Sequence, residues 1–550
     1  MTSQSLVIVG AGIGGLTAAI MGAVRGMDVT LVEAGDKVGG AAAYSGGQVW
    51  LGANHVARRA GITDSVADTV AYVQAAAGRD ATSVDPDMCE RWVRGAADAA
   101  AWLETIGAIR WELIPDYPDY YYPDLPGARA TGRYLTGAPF AGGQLGAARA
   151  QLHVSPHFPV GIRYGEMFAW GGMSSKSRWD WPLVAERRAQ DSLTFGTGIV
   201  AALFHAVLRR KVRLLLGHAA TALIEEAGDV TGVRCQIPQG SVTLRGAVIL
   251  ATGAHDWSSE YSQRFTGIPA TDGGSVTPDT VRGDAMRLAT AVGAEVRALP
   301  AWAAPVLPGY RLDQAAFAGD TGYRACFEHC LPHTFLVNQL GQRFCDDSFH
   351  SDIVAQALQH DAQGRPAHLP IFMVWDENHH AKYGLGRAMP GEPYPDGLVT
   401  SAPTLAELAR QLGIDAAGLV ATAERFNTMA QSGSDVDFGR GANLSVRRFR
   451  GDWNHQPNPN MGPVALAPFH GMRMRLLNTG IAAGGVRTDA DARALRADGS
   501  AIDGLYVVGE ASARAAAGVG YNSGYSLSRA MAFGWLAAGH AADAVEAVAA

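Results

Sequence analysis

The sequence predicts an α/β fold in which one parallel, nucleotide-binding sheet is assembled from both ends of the chain, with an α+β unit inserted between them. Three stretches carry that expectation. Leu6, Val7, Ile8 and Val9 form an apolar run followed at once by Gly10-Ala11-Gly12-Ile13-Gly14-Gly15; apolar residues at helical spacing follow, then a second run over 29–32 ending at Glu33. Residues 247–250 form a third fully apolar run, closed by Ala251-Thr252-Gly253. Residues 504–508 repeat strand character near the C-terminus and end in Gly509-Glu510.

Each part of the first stretch has a physical task. Gly10 permits the tight turn out of the strand, Gly12 lets a pyrophosphate approach the backbone, and Gly15 lets helix and strand pack closely, with Gly14 in the same loop. The helix start then offers free N–H groups and a positive dipole end to the phosphates. Glu33 stands where a carboxylate accepts hydrogen bonds from an adenosine ribose. In a chain with 67 glycines the glycine pattern alone is a weak signal. Strand before, helix after and the acid at the correct distance make it a dinucleotide site.

At 550 residues the chain exceeds one simple core, so two interleaved domains are expected. A net charge of −7 with no basic block argues against nucleic acid or an anionic membrane surface as partner. The five cysteines are scattered; Cys326 and Cys330, with His329 and His333 nearby, do not match common zinc spacings, so buried thiols and no metal are expected. The apolar start lacks a basic leader segment and no run reaches membrane-spanning length, so a cytoplasmic protein without an integral membrane segment is expected.

Along the chain, Gly40, Ser45, Gly46 and Gly47 lie in a stretch of small residues dense enough for the backbone to approach a flat ring system, although Gly46-Gly47 alone would also make a plain turn. Residues 116–122, DYPDYYY, are bounded by proline and read as an ordered loop of four tyrosines, lining a pocket or packing on the surface. Residues 199–210 read as a helix, and 213–216 and 221–225 as strands. Gly283-Asp284 opens a helix over 285–292. From about Thr271 the composition changes: 336–344 reads as a hairpin, Asp346-Asp347-Ser348-Phe349-His350 follows, 405–412 and 416–426 are amphipathic helices, and 437–441 is a loop. With no phosphate motif, this middle region reads as a cap or substrate domain. The expected division is 1–275 and 466–550 for the nucleotide domain and 276–465 for the cap. A helix beginning near Ser526 and Leu527 would aim its N-terminus at an electron-rich acceptor.

Together, the N-terminal βαβ, Ala251-Thr252-Gly253, Gly485 to Asp489 and Leu505 to Glu510 resemble the fumarate reductase/succinate dehydrogenase flavoprotein superfamily. Ser45-Gly46-Gly47-Gln48-Val49-Trp50, the Pro118-Asp119-Tyr120 loop, Val337-Asn338 to Phe344 and Phe438-Gly439-Arg440-Gly441 are most similar to its 3-ketosteroid dehydrogenase branch. The resemblance implies FAD in a Rossmann-type domain. It also implies removal of two hydrogens from adjacent carbons beside the ketone of a steroid-like or smaller cyclic substrate, with enone or fumarate-type reduction as the opposite direction.

Fumarate reductases carry an arginine where this chain has Tyr521, so the resemblance implies neutral ring ketones rather than dicarboxylates. In the ketosteroid branch the matching tyrosine, with a backbone N–H, polarises the ketone, which maps onto Tyr521 and Gly524. Gly520-Tyr521-Asn522-Ser523-Gly524 is closest to the form acting at the 4,5-bond. Two departures stand out: Phe349-His350 where relatives have a tyrosine, and His470 for the tyrosine of a Pro-Phe-Tyr motif. Candidates for the proton-abstracting base are therefore Tyr120, Tyr121 and His350, with His350 equally readable as a structural histidine hydrogen-bonded beside Asp346 and Asp347. No second nucleotide fingerprint stands out, so the expected electron acceptor is a quinone or a protein carrier.

Overall fold

The computed structural model describes residues 5–158, 160–314 and 320–549. Its first sheet has six strands in the order Arg493–Leu495, Ala501–Val507, Ala247–Leu250, Ser5–Val9, Asp28–Val32 and Arg213–Leu215. All neighbours are parallel except Arg493–Leu495 against Ala501–Val507. Strand Ser5–Val9 is flanked on both sides, which is why Leu6, Val7, Ile8 and Val9 are all apolar and buried. In register, Val9 faces Leu250 and Val32, and Leu250 faces Val507. Gly10, Glu33, Ala251 and Val508 therefore emerge together at the carboxyl edge, where ligands bind in open parallel sheets. Helices Ile13–Val24 and Tyr525–Ala549 pack into one apolar cluster so closely that a Cβ on Gly534 would meet the Gly14 carbonyl oxygen at 2.3 Å.

The second sheet is built around the ten-residue strand Phe469–Asn478. Leu307–Arg311, Ile371–Trp375 and Thr400–Ala402 pair with it antiparallel, and Gly273–Ser275 pairs with it in parallel. Strands from before residue 276 and after residue 465 thus complete the middle sheet as well as the first. Phe335, Val337, Phe372 and Val374 on this sheet bury against Leu408, Leu419 and Phe426 of helices Leu405–Leu412 and Ala416–Ser432.

The hairpin expected over 336–344 does not form. Asn338 closes a tight turn, accepting from Gly341 N at 3.0 Å, but the returning chain leaves the sheet. Arg343 is drawn inward between Asp347 at 2.9 Å and Asp435 at 2.8 Å, because a buried guanidinium requires anionic partners. Thr334–Val337 pairs instead with Ile371–Trp375. Among the described residues no helix is long and apolar enough to cross a membrane.

Candidate active site

A cavity of about 840 Å³ opens at the carboxyl edge of the first sheet, with walls from the glycine loop, both tyrosine loops and the middle region. Of the residues read from the sequence as cofactor-binding, Gly10, Gly12, Gly14, Glu33, Gly40, Ser45, Gly46, Gly47, Ala251, Gly253, Gly509, Glu510, Ser526 and Leu527 line it. Gly15 does not. A Cβ there would lie 1.9 Å from the Gly10 carbonyl oxygen, so its task is the close helix–strand packing the motif implies.

The cavity fits FAD on its own geometry. A Cβ on Gly12 would meet nothing nearer than 4.0 Å, on Gly40 nothing nearer than 3.9 Å and on Gly253 nothing nearer than 3.8 Å, so three bare stretches of backbone face open space. Glu33 accepts from Ala11 N at 2.9 Å and Gly35 N at 3.0 Å, which fixes its carboxylate at the cavity wall. Burial pushes its carboxyl up, and those backbone N–H groups act against the rise. Glu510 pairs with Arg529 at 2.9 Å and accepts from Ala482 N at 3.0 Å.

Tyr521, Gly524, Tyr120 and His350 also line the cavity. The ring centres of Tyr120, His350 and Tyr521 form a triangle of 5.6, 5.9 and 6.1 Å. Tyr121 is not brought in: it is absent from the walls, and its ring packs edge-on against Phe349 at 5.8 Å. Neither the Tyr521 hydroxyl nor the Gly524 N–H donates to a protein group among the described residues. Gly524 has φ +89°, and a Cβ would meet Trp50 N at 2.6 Å, so only glycine fits there.

Asn522, fully buried, holds the two tyrosine loops in register. It accepts from Tyr120 N at 2.9 Å and the Tyr72 hydroxyl at 2.7 Å, and donates to the Tyr134 hydroxyl at 2.6 Å. Ser523 donates to Gln48 at 2.8 Å, which ties the same loop to the small-residue stretch after the glycine motif.

His350 begins helix His350–Ala357 and points away from the acids beside it in sequence. Asp346 accepts from Ser348 at 2.6 Å, and Asp347 pairs with Arg343 and with Arg440 at 2.7 Å. The imidazole instead stands 3.5 Å from Arg450 Nη1 through Nδ1 and 3.5 Å from Ser351 Oγ through Nε2. Burial, then the Arg450 charge, hold its pKa well below the ordinary histidine value, so it is neutral at pH 7. Burial raises the Tyr521 phenol, with Tyr120 adding to it; burial also raises Tyr120, against Arg450 and a hydrogen bond with Ser523. Both phenols remain protonated.

Arg450, Ser523, Tyr117 and Tyr164 also line the cavity; Tyr117 and Ser523 lie in loops noted in the sequence, whereas Arg450 and Tyr164 carried no signal there. Arg450 lies in Arg447-Arg448-Phe449-Arg450, which by composition reads as a solvated helix end. The cysteine–histidine cluster at 326–333 holds buried free thiols. Among the described residues the group close enough to share an ion is Glu377, His380 and His470, where Glu377 already hydrogen-bonds His380 at 3.2 Å and His470 at 3.1 Å; none of the three lines the cavity.

Residues 5–527 match the family model of the FAD binding domain. Over 576 residues the chain is 30% identical to 3-oxosteroid 1-dehydrogenase of Mycobacterium tuberculosis, covering 99% of each chain. It is 31% identical over 557 residues to 4-oxocyclohexanecarboxylate 2-dehydrogenase of Sinomonas cyclohexanicum, covering 98% of this chain and 92% of the relative. The crystal structure of 3-ketosteroid delta1-dehydrogenase from Sterolibacterium denitrificans in complex with 1,4-androstadiene-3,17-dione superposes with a TM-score of 0.88 at 29% identity, covering 99% of this chain and 100% of that one. The sequence of the Tyr521 loop suggested the form acting at the 4,5-bond, whereas these relatives are named for the 1- and 2-positions.

Proposed function

The chain belongs to the FAD binding domain family, and on that premise we propose that it is an FAD-dependent dehydrogenase that introduces a C=C bond α,β to the ketone of a cyclic substrate. The observation that carries the reading is the pairing of two unused donors, the Tyr521 hydroxyl and the Gly524 N–H, in a cavity whose other walls are a dinucleotide cradle.

Dehydrogenation beside a ketone removes a proton from the α carbon and a hydride from the β carbon. The electron pair of the α C–H bond becomes the new π bond. Tyr521 and Gly524 would hold the ketone oxygen as it gains negative charge, so the α C–H becomes acidic. His350, neutral and in the cavity, takes the α proton; Tyr120 is held protonated by its burial and serves as a donor or orienter. FAD, when bound, supplies the acceptor for the β hydride at its N5. Glu33 would hold the adenosine ribose and the glycine loop the pyrophosphate. Asn522 keeps the Tyr120 and Tyr521 loops at a fixed separation. The middle region, 276–465, with strands Gly273–Ser275 and Phe469–Asn478 completing its sheet, would serve as the cap carrying His350 and Arg450, and the rest of 1–275 and 466–550 would form the cofactor domain.

The electrons leave to a quinone or a protein carrier, since no second dinucleotide fingerprint is present in the sequence. Steroid ketones and 4-oxocyclohexanecarboxylate are the substrates suggested by the relatives' names. Anaerobic mixing of the holoprotein with a panel of ring ketones tests the reading. Loss of flavin absorbance with formation of the matching enone is expected, and succinate should leave the flavin oxidised. A panel in which no ring ketone bleaches the flavin would reject it.

A further inference from the structure

Arg450 ends helix Leu444–Arg450, is 8% exposed, and lines the cavity beside Tyr120, His350 and Tyr521. Among the described residues no carboxylate pairs with it. Its contacts are His350 Nδ1 at 3.5 Å, the face of Phe327 at 4.9 Å from guanidinium carbon to ring centre, and the Cys330 thiol. Other buried arginines are paired with acids or lie off the cavity: Arg514, also without a carboxylate partner among the described residues, donates to the Gly520 carbonyl at 2.8 Å and does not line the cavity. Arg133 meets Asp64 at 2.8 Å and Asp119 at 2.9 Å, Arg440 meets Asp347 at 2.7 Å, and Arg529 meets Glu510 at 2.9 Å. Those arginines are neutralised within the protein. Arg450 is not.

The groups around Arg450 do not supply the missing charge. Burial pushes the Cys330 thiol up to about 11 and raises the Tyr117 and Tyr120 phenols, so all three are neutral at pH 7, as is His350. A cation taken out of water without a counter-ion is costly, and its presence on a ligand cavity implies that the ligand brings the anion. The guanidinium fork matches a carboxylate in two parallel hydrogen bonds. Position also fits: Arg450 touches His350, and the His350 ring is one aromatic contact, 5.9 Å, from Tyr521.

We propose that Arg450 anchors a carboxylate on the substrate, so that this site takes a ring keto acid whose carboxylate lies across one small ring from the ketone. The proposal rests on the dehydrogenase reading above and adds the charge and size of its substrate. It revises the sequence-based expectation of a neutral ketone. The arginine missing at position 521 is replaced by one entering from a different element, where spacing around Tyr521 cannot reveal it.

The test uses the FAD-loaded protein and two pairs of probes. 4-Hydroxybenzoate and its methyl ester are unreactive aromatic rings that carry the oxygen and the carboxylate at opposite positions; their binding is read from the flavin absorbance shift. 4-Oxocyclohexanecarboxylate and its methyl ester are the reactive pair, compared by anaerobic flavin bleaching. The wild type should bind each acid roughly 30- to 1,000-fold more tightly than its ester, the range for losing one buried charge pair. Arg450→Gln should erase that ratio and Arg450→Lys should restore part of it. Equal affinity for acid and ester in the wild type, or a ratio that persists in Arg450→Gln, overturns the proposal, and the wild-type comparison stands whether or not the variants fold. The two readings separate cleanly. Acid-selective binding through Arg450 without oxidation of any ring ketone would reject the dehydrogenase and keep the anchor, while equal oxidation of acid and ester would reject the anchor alone.

Discussion

In the proposed reaction Tyr521, Gly524 and His350 share the chemistry, and burial rather than neighbouring acids keeps the phenol and the imidazole neutral. With Asp346 and Asp347 turned toward Ser348, Arg343 and Arg440, the imidazole is held neutral at pH 7 by desolvation and by Arg450. If His350 is the base, its neutral form persists well below the ordinary value of ~6.5. The rate of flavin bleaching should therefore stay level as pH falls from about 8 to 6, with no inflection near ~6.5. A rate that halves near ~6.5 would mean that the base is a solvent-exposed group and not His350. His350→Gln keeps a polar side chain of similar reach and removes the proton acceptor. It should slow bleaching by about 10²- to 10⁴-fold while FAD content is retained. A rate within a few-fold of wild type would return the role to Tyr120. The sequence left Tyr120, Tyr121 and His350 all as candidates for the base. Backbone geometry separates them, since consecutive residues of the 116–122 loop point to different sides, and Tyr121 spends its ring on Phe349.

The loops carrying these residues are positioned by hydrogen bonds between parts of the chain some 400 residues apart, which is why their arrangement is not legible in local sequence. Asn522 is the joint. Its amide meets Tyr72, Tyr120 and Tyr134, all from the first quarter of the chain. Asn522→Ala leaves a buried N–H and two buried hydroxyls without that partner, at about 1–3 kcal/mol for each group that finds no substitute. The urea midpoint should fall, and ketone-dependent bleaching should slow even where FAD is still bound. A variant with wild-type stability and rate would show that the loops are held elsewhere. The glycine loop is the opposite case. Its expected tasks follow from residues adjacent in sequence, and Gly10, Gly12 and Glu33 line one cavity, with Gly15 packed on the Gly10 carbonyl. Gly12→Asp would place a carboxylate in the open cradle and repel the pyrophosphate. The protein should then purify without its yellow colour, as read from the absorbance ratio of flavin to protein. The expected hairpin at 336–344 failed because a strand-like pattern says nothing of a distant Asp435 that captures Arg343.

Across the molecule, the α/β division and the contribution of both chain ends to one sheet were readable because each parallel strand is a continuous apolar run. The seven-stranded sheet was not, because its central strand Phe469–Asn478 gathers partners from four separate segments. Burial also gives the whole protein a defined response to acid. His153, His157, His255 and His329 are held at about 4 and His379 at about 3, each first by desolvation, and His350 is held well below its usual value. The unfolded chain takes up protons on these histidines near ~6.5 while the folded chain refuses them, so their contribution is complete above ~6.5 and is lost as pH falls. Asp256 and Asp346, pushed up to about 6 by burial, act in the opposite sense but are fewer. The urea midpoint of the holoprotein should accordingly drop between pH 7 and pH 5; an unchanged midpoint would mean that the buried histidines titrate normally. The account as a whole turns on enolate stabilisation in the cavity, and rapid-mixing kinetics of Tyr521→Phe test it most directly. This change keeps the ring and removes only the hydroxyl. With the ring ketone that bleaches the wild type fastest, at saturation, Tyr521→Phe should hold its FAD and bleach about 10²- to 10³-fold more slowly, the usual effect of losing one oxyanion donor. A variant that bleaches at close to the wild-type rate would contradict the assignment of the ketone oxygen to Tyr521 and Gly524.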